Sequence, residues 1–421
     1  MRAFVSLLLT CVAIHAFADD LAGHWDATLR HESDQWHLAI DVDAQTDSAT
    51  VDFVDLGTYG IPFKMSRSAD RVLLQRDQPG GRPITIDLEV RAERMHGTFT
   101  GLGLTAAIDG HPSAAPPSFR QEEVAFRNGE VSLSGTILLP AEKPVAGIVI
   151  VHGSGPVDRS MASYHSDGVF CARLGLVTLI YDKRGTGGST GDFNTASMED
   201  LAGDAIAGAR LLEQRFSVPV GISGVSQGGW IGPLAATRGH LAFVIATSPA
   251  SINPMEQSIF NTENVLRNAG YGADIIERAT RLRRRMYAWV RTGVDDKKLA
   301  GDLEAVHEKP WFAKSALPYP LSATVSPGER KLLMFEPLPV WRRLEVPVLV
   351  FWGGADIQVP SRRSQREIEA ALRHNSDHTL VMYPKADHNL VLPRPPNTLP
   401  RTATGFRTLE AEWLRERFGS W

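Results

Sequence analysis

The chain has 421 residues, about twice what one compact domain needs, which predicts at least two domains. Its composition, 43% hydrophobic and 22% charged, is that of a soluble globular protein and excludes disorder, collagen-like repeats and a mainly membrane-embedded chain. With 44 basic and 48 acidic side chains the net charge is -4, so no global electrostatic pull toward nucleic acid exists.

Residues 1–18 read as a secretory signal peptide. Arg2 precedes an apolar run over 3–14, and Ala16-Phe17-Ala18 supplies a small-residue cleavage site before Asp19. The run is too short to span a bilayer, so no stable membrane insertion is expected after cleavage, and the mature chain is expected in the periplasm or outside the cell. Thr10 before Cys11 argues against a lipid-anchor site there. Cleavage would leave Cys171 as the sole cysteine, without an internal disulfide. Cys171 lies in the apolar run 169–174 and reads as a small buried hydrophobe.

Residues 19–108 carry apolar–polar alternations at 24–29, 36–42, 50–54, 72–74, 84–90 and 96–100. Period two with turn residues between the segments predicts a small all-β accessory domain, a sandwich or a barrel. Gly110, Pro112, Pro116 and Pro117 mark 109–121 as a linker.

The rhythm changes over 122–421. A hairpin is expected about Asn128-Gly129, and Val- and Ile-rich strands at 145–151, 177–181, 218–223, 243–247, 346–352 and 379–383 alternate with helical stretches. Uninterrupted apolar strands separated by helices predict an α/β fold with a parallel sheet covered on both faces. Such a sheet binds ligands at the carboxyl ends of its strands. Residues 251–340 break the alternation. Ile275, Ile276, Ala279, Leu282, Met286 and Val290 recur at helical spacing, which predicts a helical cap insertion. Arg281, Arg283, Arg284 and Arg285 in it read as a solvated helix face.

Three strand ends carry chemistry. Gly224-Val225-Ser226-Gln227-Gly228 is a G-x-S-x-G elbow between an expected strand and helix, which makes Ser226 the candidate nucleophile. A serine hydroxyl needs a base, and His388 follows the strand at 379–383. Asp356, just past the strand at 346–352, is the candidate acid that orients it. Asp387 is the rival acid, badly placed because it adjoins His388 along the chain. An oxyanion needs preorganised N–H donors. The backbone N–H groups of Gln227 and of Ser154, in His152-Gly153-Ser154-Gly155-Pro156, are the candidates, with His152 a structural loop residue.

These blocks, together with Asp158-Arg159 and Tyr181-Asp182-Lys183-Arg184-Gly185-Thr186-Gly187-Gly188-Ser189, resemble α/β-hydrolase acyl hydrolases. The likeness is to bacterial carboxylesterases related to dienelactone hydrolases and to the prolyl-oligopeptidase catalytic domain. It covers residues 122–421 and implies a Ser226–Asp356–His388 triad that works through an acyl-enzyme. It does not extend to the N-terminal β-region, and the insertion after Ser251 is variable in such enzymes, so the acyl pocket is not carried over. The expected function is therefore serine carboxylesterase action on a small-molecule ester, with no cofactor or metal. A peptidase or thioesterase using the same triad, and a noncatalytic binding protein on this scaffold, are the alternatives. Other motifs fail: Thr190 stands at the third glycine position of a dinucleotide loop, and His374 and His378 flank a helix end and turn rather than a metal site.

Overall fold

The computed structural model describes residues 22–419, apart from 44, 69–70, 79–80, 92, 294–295 and 322–326. The expected signal peptide lies outside the described residues.

The N-terminal module is a closed barrel of eight antiparallel strands, each paired with the next: β1 (Gly23–His31), β2 (Asp34–Asp43), β3 (Ser48–Phe53), β4 (Thr58–Ser68), β5 (Arg71–Arg76), β6 (Ile84–Arg91), β7 (Arg94–Gly101) and β8 (Leu104–Pro112). Pairing of β8 back onto β1, from Trp25 opposite Pro112 to Arg30 opposite Ala107, closes the ring and leaves no sheet edge. Alternate residues point inward, so Leu29, Ile40, Val51, Leu74, Ile86, Phe99 and Ile108 fill the interior. Eight strands enclose just enough room for side chains.

Two of these strands escape the sequence reading. Gly60 and Pro62 in β4 look like breakers, yet Ile61, Phe63 and Met65 keep the inward alternation while Pro62 stays exposed. The linker begins later than expected. Residues 109–112 are the end of β8, and a Cβ on Gly110 would lie 3.0 Å from the Asp26 carbonyl, so this glycine serves close packing rather than chain freedom. The connection is 113–118.

The second module is a mixed sheet of eight strands in the order β16-β15-β14-β13-β11-β12-β10-β9. The Asn128-Gly129 hairpin joins β9 (Phe119–Asn128) to β10 (Val131–Pro140), and both run antiparallel to the rest. The parallel strands are β11 (Ala146–Val151), β12 (Leu176–Tyr181), β13 (Val220–Val225), β14 (Val244–Thr247), β15 (Val348–Gly353) and β16 (His378–Tyr383). Helices α1 (Ala162–Arg173) and α11 (Phe406–Phe418) cover one face, with Phe170, Cys171, Trp413 and Leu414 in its core. Helices α2 (Met198–Phe216) and α3 (Gly228–Ala236) cover the other, through Leu201, Ala205, Leu212, Trp230 and Leu234. Near the β15–β16 edge, α9 (Leu338–Trp341) and α10 (Ser361–Ala371) add Trp341 and Ile368. Burial of Cys171 pushes its thiol well above the usual range, as its reading as a hydrophobe expects.

The insertion is helical: α4 (Pro254–Asn268), α5 (Ala273–Thr292), α6 (Lys297–Glu304), α7 (Pro310–Ser315) and α8 (Pro327–Leu333) lead into α9. It has its own core, with Leu266, Leu282, Met286, Leu303, Trp311 and Phe312. Two of the four arginines in the α5 run, Arg281 and Arg284, are exposed as expected, and the other two are not free. Arg283 is buried and donates to Ser258 Oγ at 2.8 Å and to the Ser315 carbonyl, while Arg285 pairs with Asp296 at 2.8 Å and Asp302 at 2.5 Å. Charged fork geometry holds α4, α6 and α7 against α5.

The barrel docks on α1 and α11. Tyr59 stacks on Phe170 with ring centroids 5.6 Å apart, and the Tyr59 N–H donates to Ser166 Oγ at 2.8 Å. Asp52 is buried at this seam, where it accepts from the Gly60 N–H at 2.6 Å and from Arg173 of α1. Leu399, from the segment before α11, packs into the barrel core. Asp52→Ala would leave the Arg173 guanidinium without this buried partner, and breaking such a pair costs about 3 kcal/mol. The variant should melt at a lower temperature in a thermal scan; an unchanged Tm would mean that the seam does not depend on the pair.

Candidate active site

A buried parallel strand that turns sharply into a helix can push one side chain out at the sheet's carboxyl edge, provided its neighbours lack side chains. That is the setting of Ser226, which has φ +56 between β13 and α3. A Cβ on Gly224 would meet the Gly228 carbonyl at 2.4 Å, and one on Gly228 would meet the Val151 carbonyl at 2.5 Å. The Ser226 N–H is held by the Thr247 carbonyl at 2.8 Å. A left-handed serine is strained, and packing of this kind over-determines it.

Asp356 and His388 meet on the adjoining strand ends. His388 Nδ1 lies 2.7 Å from Asp356 Oδ2, and both side chains are buried. The other oxygen, Asp356 Oδ1, accepts the N–H groups of Gln358 at 2.7 Å and Val359 at 3.0 Å. A carboxylate held by those amides favours the Nδ1–H tautomer, which leaves Nε2 free to accept a proton. The loops beneath pack backbone to backbone: a Cβ on Gly353 would lie 1.9 Å from the Asp387 carbonyl, and the Ala355 N–H donates to the Ala386 carbonyl at 2.9 Å. Asp387 is occupied elsewhere, since its Oδ1 accepts the amides of Asn389 and Val391, each at 2.9 Å.

One dipeptide ties the serine turn to the histidine loop. Thr247 accepts from Ser226, and the next residue, Ser248, donates its hydroxyl to the His388 carbonyl at 2.8 Å. Ser248 itself has φ +52, and Leu390, two residues past the histidine, has φ +59 with its side chain fully buried. Three non-glycine residues in the left-handed region thus surround one site.

The loop after β11 lies against the serine. A Cβ on Gly153 would be 3.6 Å from Ser226 Cβ, and the Gly153 N–H is already used, by the Tyr164 hydroxyl at 2.9 Å. Among the described residues the Ser154 and Gln227 amides donate to no protein acceptor. Gln227 stands at the N-cap of α3, where unpaired N–H groups favour an anion, and Ser154 lies on the facing loop. His152 is buried edge-on to Tyr164 and Tyr181, and burial beside Lys183 lowers its pKa to about 3, so it stays neutral.

The sequence reading passed over the roles of Asp182, Lys183 and Arg184, three charges in a row after β12, all buried. Asp182 accepts from Arg159 at 3.2 Å and from the Gly188 N–H at 2.8 Å, and Arg184 holds Asp204 in a bidentate pair at 2.7 Å. Lys183 Nζ instead donates to the Gly153 carbonyl at 2.6 Å, the Gly155 carbonyl at 2.9 Å and Gln227 Oε1 at 3.2 Å. The signal was available: charges directly after an unbroken apolar strand, at the edge where ligands bind, must each find a partner. His374 and His378 bond backbone carbonyls of Ala371, Leu344 and Asn375.

A cleft of about 440 Å³ opens beside the serine turn and is shared by both modules, with Leu56, Gly57 and Thr58 of the barrel facing Val225, Thr247 and Asn389.

Residues 148–399 match the model of the alpha/beta hydrolase family. Over 256 residues the chain is 25% identical to the esterase EstD of Thermotoga maritima, a match covering 59% of this chain and 54% of that protein, so the chain spans about half the length of this relative. Among solved structures it is similar to an esterase of Pyrococcus furiosus, at 16% identity and TM-score 0.48, covering 72% of this chain and 92% of that one. It is also similar to a dienelactone hydrolase of Anabaena variabilis, at 15% identity and TM-score 0.42, covering 71% and 98%.

The backbone contact under Gly353 generates a test. Gly353→Ala must separate the loops that carry Asp356 and His388, at a cost of about 3 kcal/mol, the upper end for overpacking. Chemical denaturation should show the loss, and the downfield Nδ1 proton of His388 should vanish from the NMR spectrum. An unchanged denaturation midpoint would refute the rigid packing of these loops.

Proposed function

Because the chain belongs to the alpha/beta hydrolase family, we propose that it is a serine carboxylesterase, with Ser226, Asp356 and His388 as its triad and the amides of Ser154 and Gln227 as its oxyanion hole. The observation that carries the reading is the buried 2.7 Å contact of His388 with Asp356, in loops tied to the left-handed Ser226 turn.

In this mechanism His388 Nε2 removes the Ser226 hydroxyl proton as Oγ attacks the acyl carbon. The carbonyl oxygen takes the negative charge and meets the two free amides. Collapse of the tetrahedral species expels the alkoxide, which leaves as the alcohol with the proton from His388. Water then gives a proton to His388, attacks the acyl-enzyme and releases the acid, and the proton returns to Ser226. Asp356 stabilises the imidazolium and holds its orientation throughout.

The substrate proposed is a small-molecule ester; the cleft beside the serine turn is lined by apolar and hydroxyl side chains together with Asp167, Arg407 and Glu410, and the barrel loop at 56–58 would help set its shape. With residues 1–18 as the leader, the mature enzyme would act after export. No nucleic acid, metal or cofactor enters this reading.

Ser226→Ala should reduce hydrolysis of a short p-nitrophenyl ester on the order of 10³-fold or more, and a fluorophosphonate should label the wild type at Ser226. Full turnover by the variant, or an unlabelled wild type, would refute the assignment. Faster cleavage of aminoacyl amides than of acyl esters would make the chain a peptidase.

A further inference from the structure

Resting on that reading, we propose that Lys183 is the positioning residue of the oxyanion hole, and that its charge strengthens the Ser154 N–H as a donor. The geometry is specific. Lys183 is 2% exposed, and its three acceptors lie on the two sides of the hole: Gly153 and Gly155 on the loop after β11, and Gln227 on the serine turn. It therefore clamps together the two segments that carry the free amides.

The 2.6 Å bond to the Gly153 carbonyl does more than hold the loop. That carbonyl and the Ser154 N–H are opposite ends of one planar peptide group. A cation on the oxygen favours the resonance form with a double C–N bond and positive nitrogen. The N–H at the other end becomes more acidic and a better donor to a developing oxyanion, as charge-assisted and chained hydrogen bonds are. The ammonium also sets a fixed positive field behind the hole in a water-poor setting, where it acts more strongly than in solvent. Lys183 touches no substrate; it acts through the peptide.

Its surroundings leave the charge undiluted. Burial alone lowers the Lys183 pKa, to about 7. The groups around it are His152 from the end of β11, which is neutral, and the Phe193 ring, 4.5 Å from Nζ. Gln227 faces it from the serine turn, while the neighbouring Asp182 and Arg184 are engaged with Arg159 and Asp204. Asp158, on the loop between β11 and α1, is turned to Ser160. The clamp should therefore be charged below about pH 7 and lose its charge as pH rises through that value.

Kinetics and NMR test the proposal together, on the full chain. Lys183→Met should lower kcat for a p-nitrophenyl ester about 10- to 100-fold with little change in KM, less than the 10²–10³ lost with a whole oxyanion donor. The wild-type kcat should decline on the alkaline side of about pH 7, as Lys183 deprotonates. Lys183→Arg keeps its charge, so its decline should move above about pH 10. Lys183→Met should lack that limb altogether. In 15N-labelled wild type and Ser226→Ala, the Ser154 amide shift should titrate near pH 7, whether or not Lys183→Met folds. A Lys183→Met enzyme with wild-type kcat and pH profile would overturn the proposal, as would a Ser154 amide that is flat from pH 5 to 9. Should the wild type hydrolyse no ester and take no fluorophosphonate label, the ester reading falls instead, and the Ser154 titration still decides whether Lys183 polarises the peptide.

Discussion

The site depends on one constraint: Ser226 is held at φ +56 where a buried strand turns into a helix. That turn needs side-chain-free neighbours, because the strand end, the helix start and the loop after β11 all pass within van der Waals contact of it. The Gly228 carbonyl lies where a Gly224 side chain would be, and the Val151 carbonyl where a Gly228 side chain would be. The same crowding brings the Gln227 amide and the Gly153–Ser154 peptide beside the serine. The strain of the turn is thus inseparable from the preorganisation of its donors, and Thr247 and Ser248 extend it to the histidine loop.

Burying charge at that edge is the second theme. Asp182, Lys183 and Arg184 follow one another, yet each answers a different need. Two have full ionic partners, Arg159 and Asp204, and brace the loops around β12. Lys183 has carbonyl and amide acceptors instead, so its charge stays uncompensated and its pKa falls. An uncompensated buried cation is costly to fold, and proteins keep such groups where a field has a use.

Much of this was legible in the sequence for physical reasons. Short, β-branched apolar runs between turn residues, such as residues 348–352, read as strands covered on both faces, and the order Ser226, Asp356, His388 at strand ends followed from that. Period two revealed the barrel where inward residues are large, as in β6, and failed where they are small or flanked by breakers, as at Gly110 in β8 and around Pro62 in β4. Arg283 and Arg285 of α5 were misread because periodicity places a residue on a face but does not say what covers that face: Arg283 is hidden by α4 and α7, whose positions are set by contacts distant in sequence. Lys183 was quoted without a role for a similar reason, since its acceptors lie 30 and 44 residues away.

The two additions to the sheet bear on it differently. The insertion carries its own apolar core, with Leu266, Met286 and Trp311, while its ends join the sheet's core through Ile252, Phe335 and Val340, and the Ser251 hydroxyl donates to Glu367 at 2.6 Å. Its middle helices pack on one another, and its two ends are anchored in the sheet's core. The barrel is joined to the helical layer by a mixed polar and apolar seam. Asp52 is buried against Arg173, Tyr59 stacks on Phe170, and Leu399 is driven into the barrel's core from the segment before α11. The seam fixes the 56–58 wall of the cleft beside the serine turn. On the proposed function, that fixed wall gives the barrel a part in substrate selection, because the shape of the cleft beside Ser226 depends on how the barrel is docked.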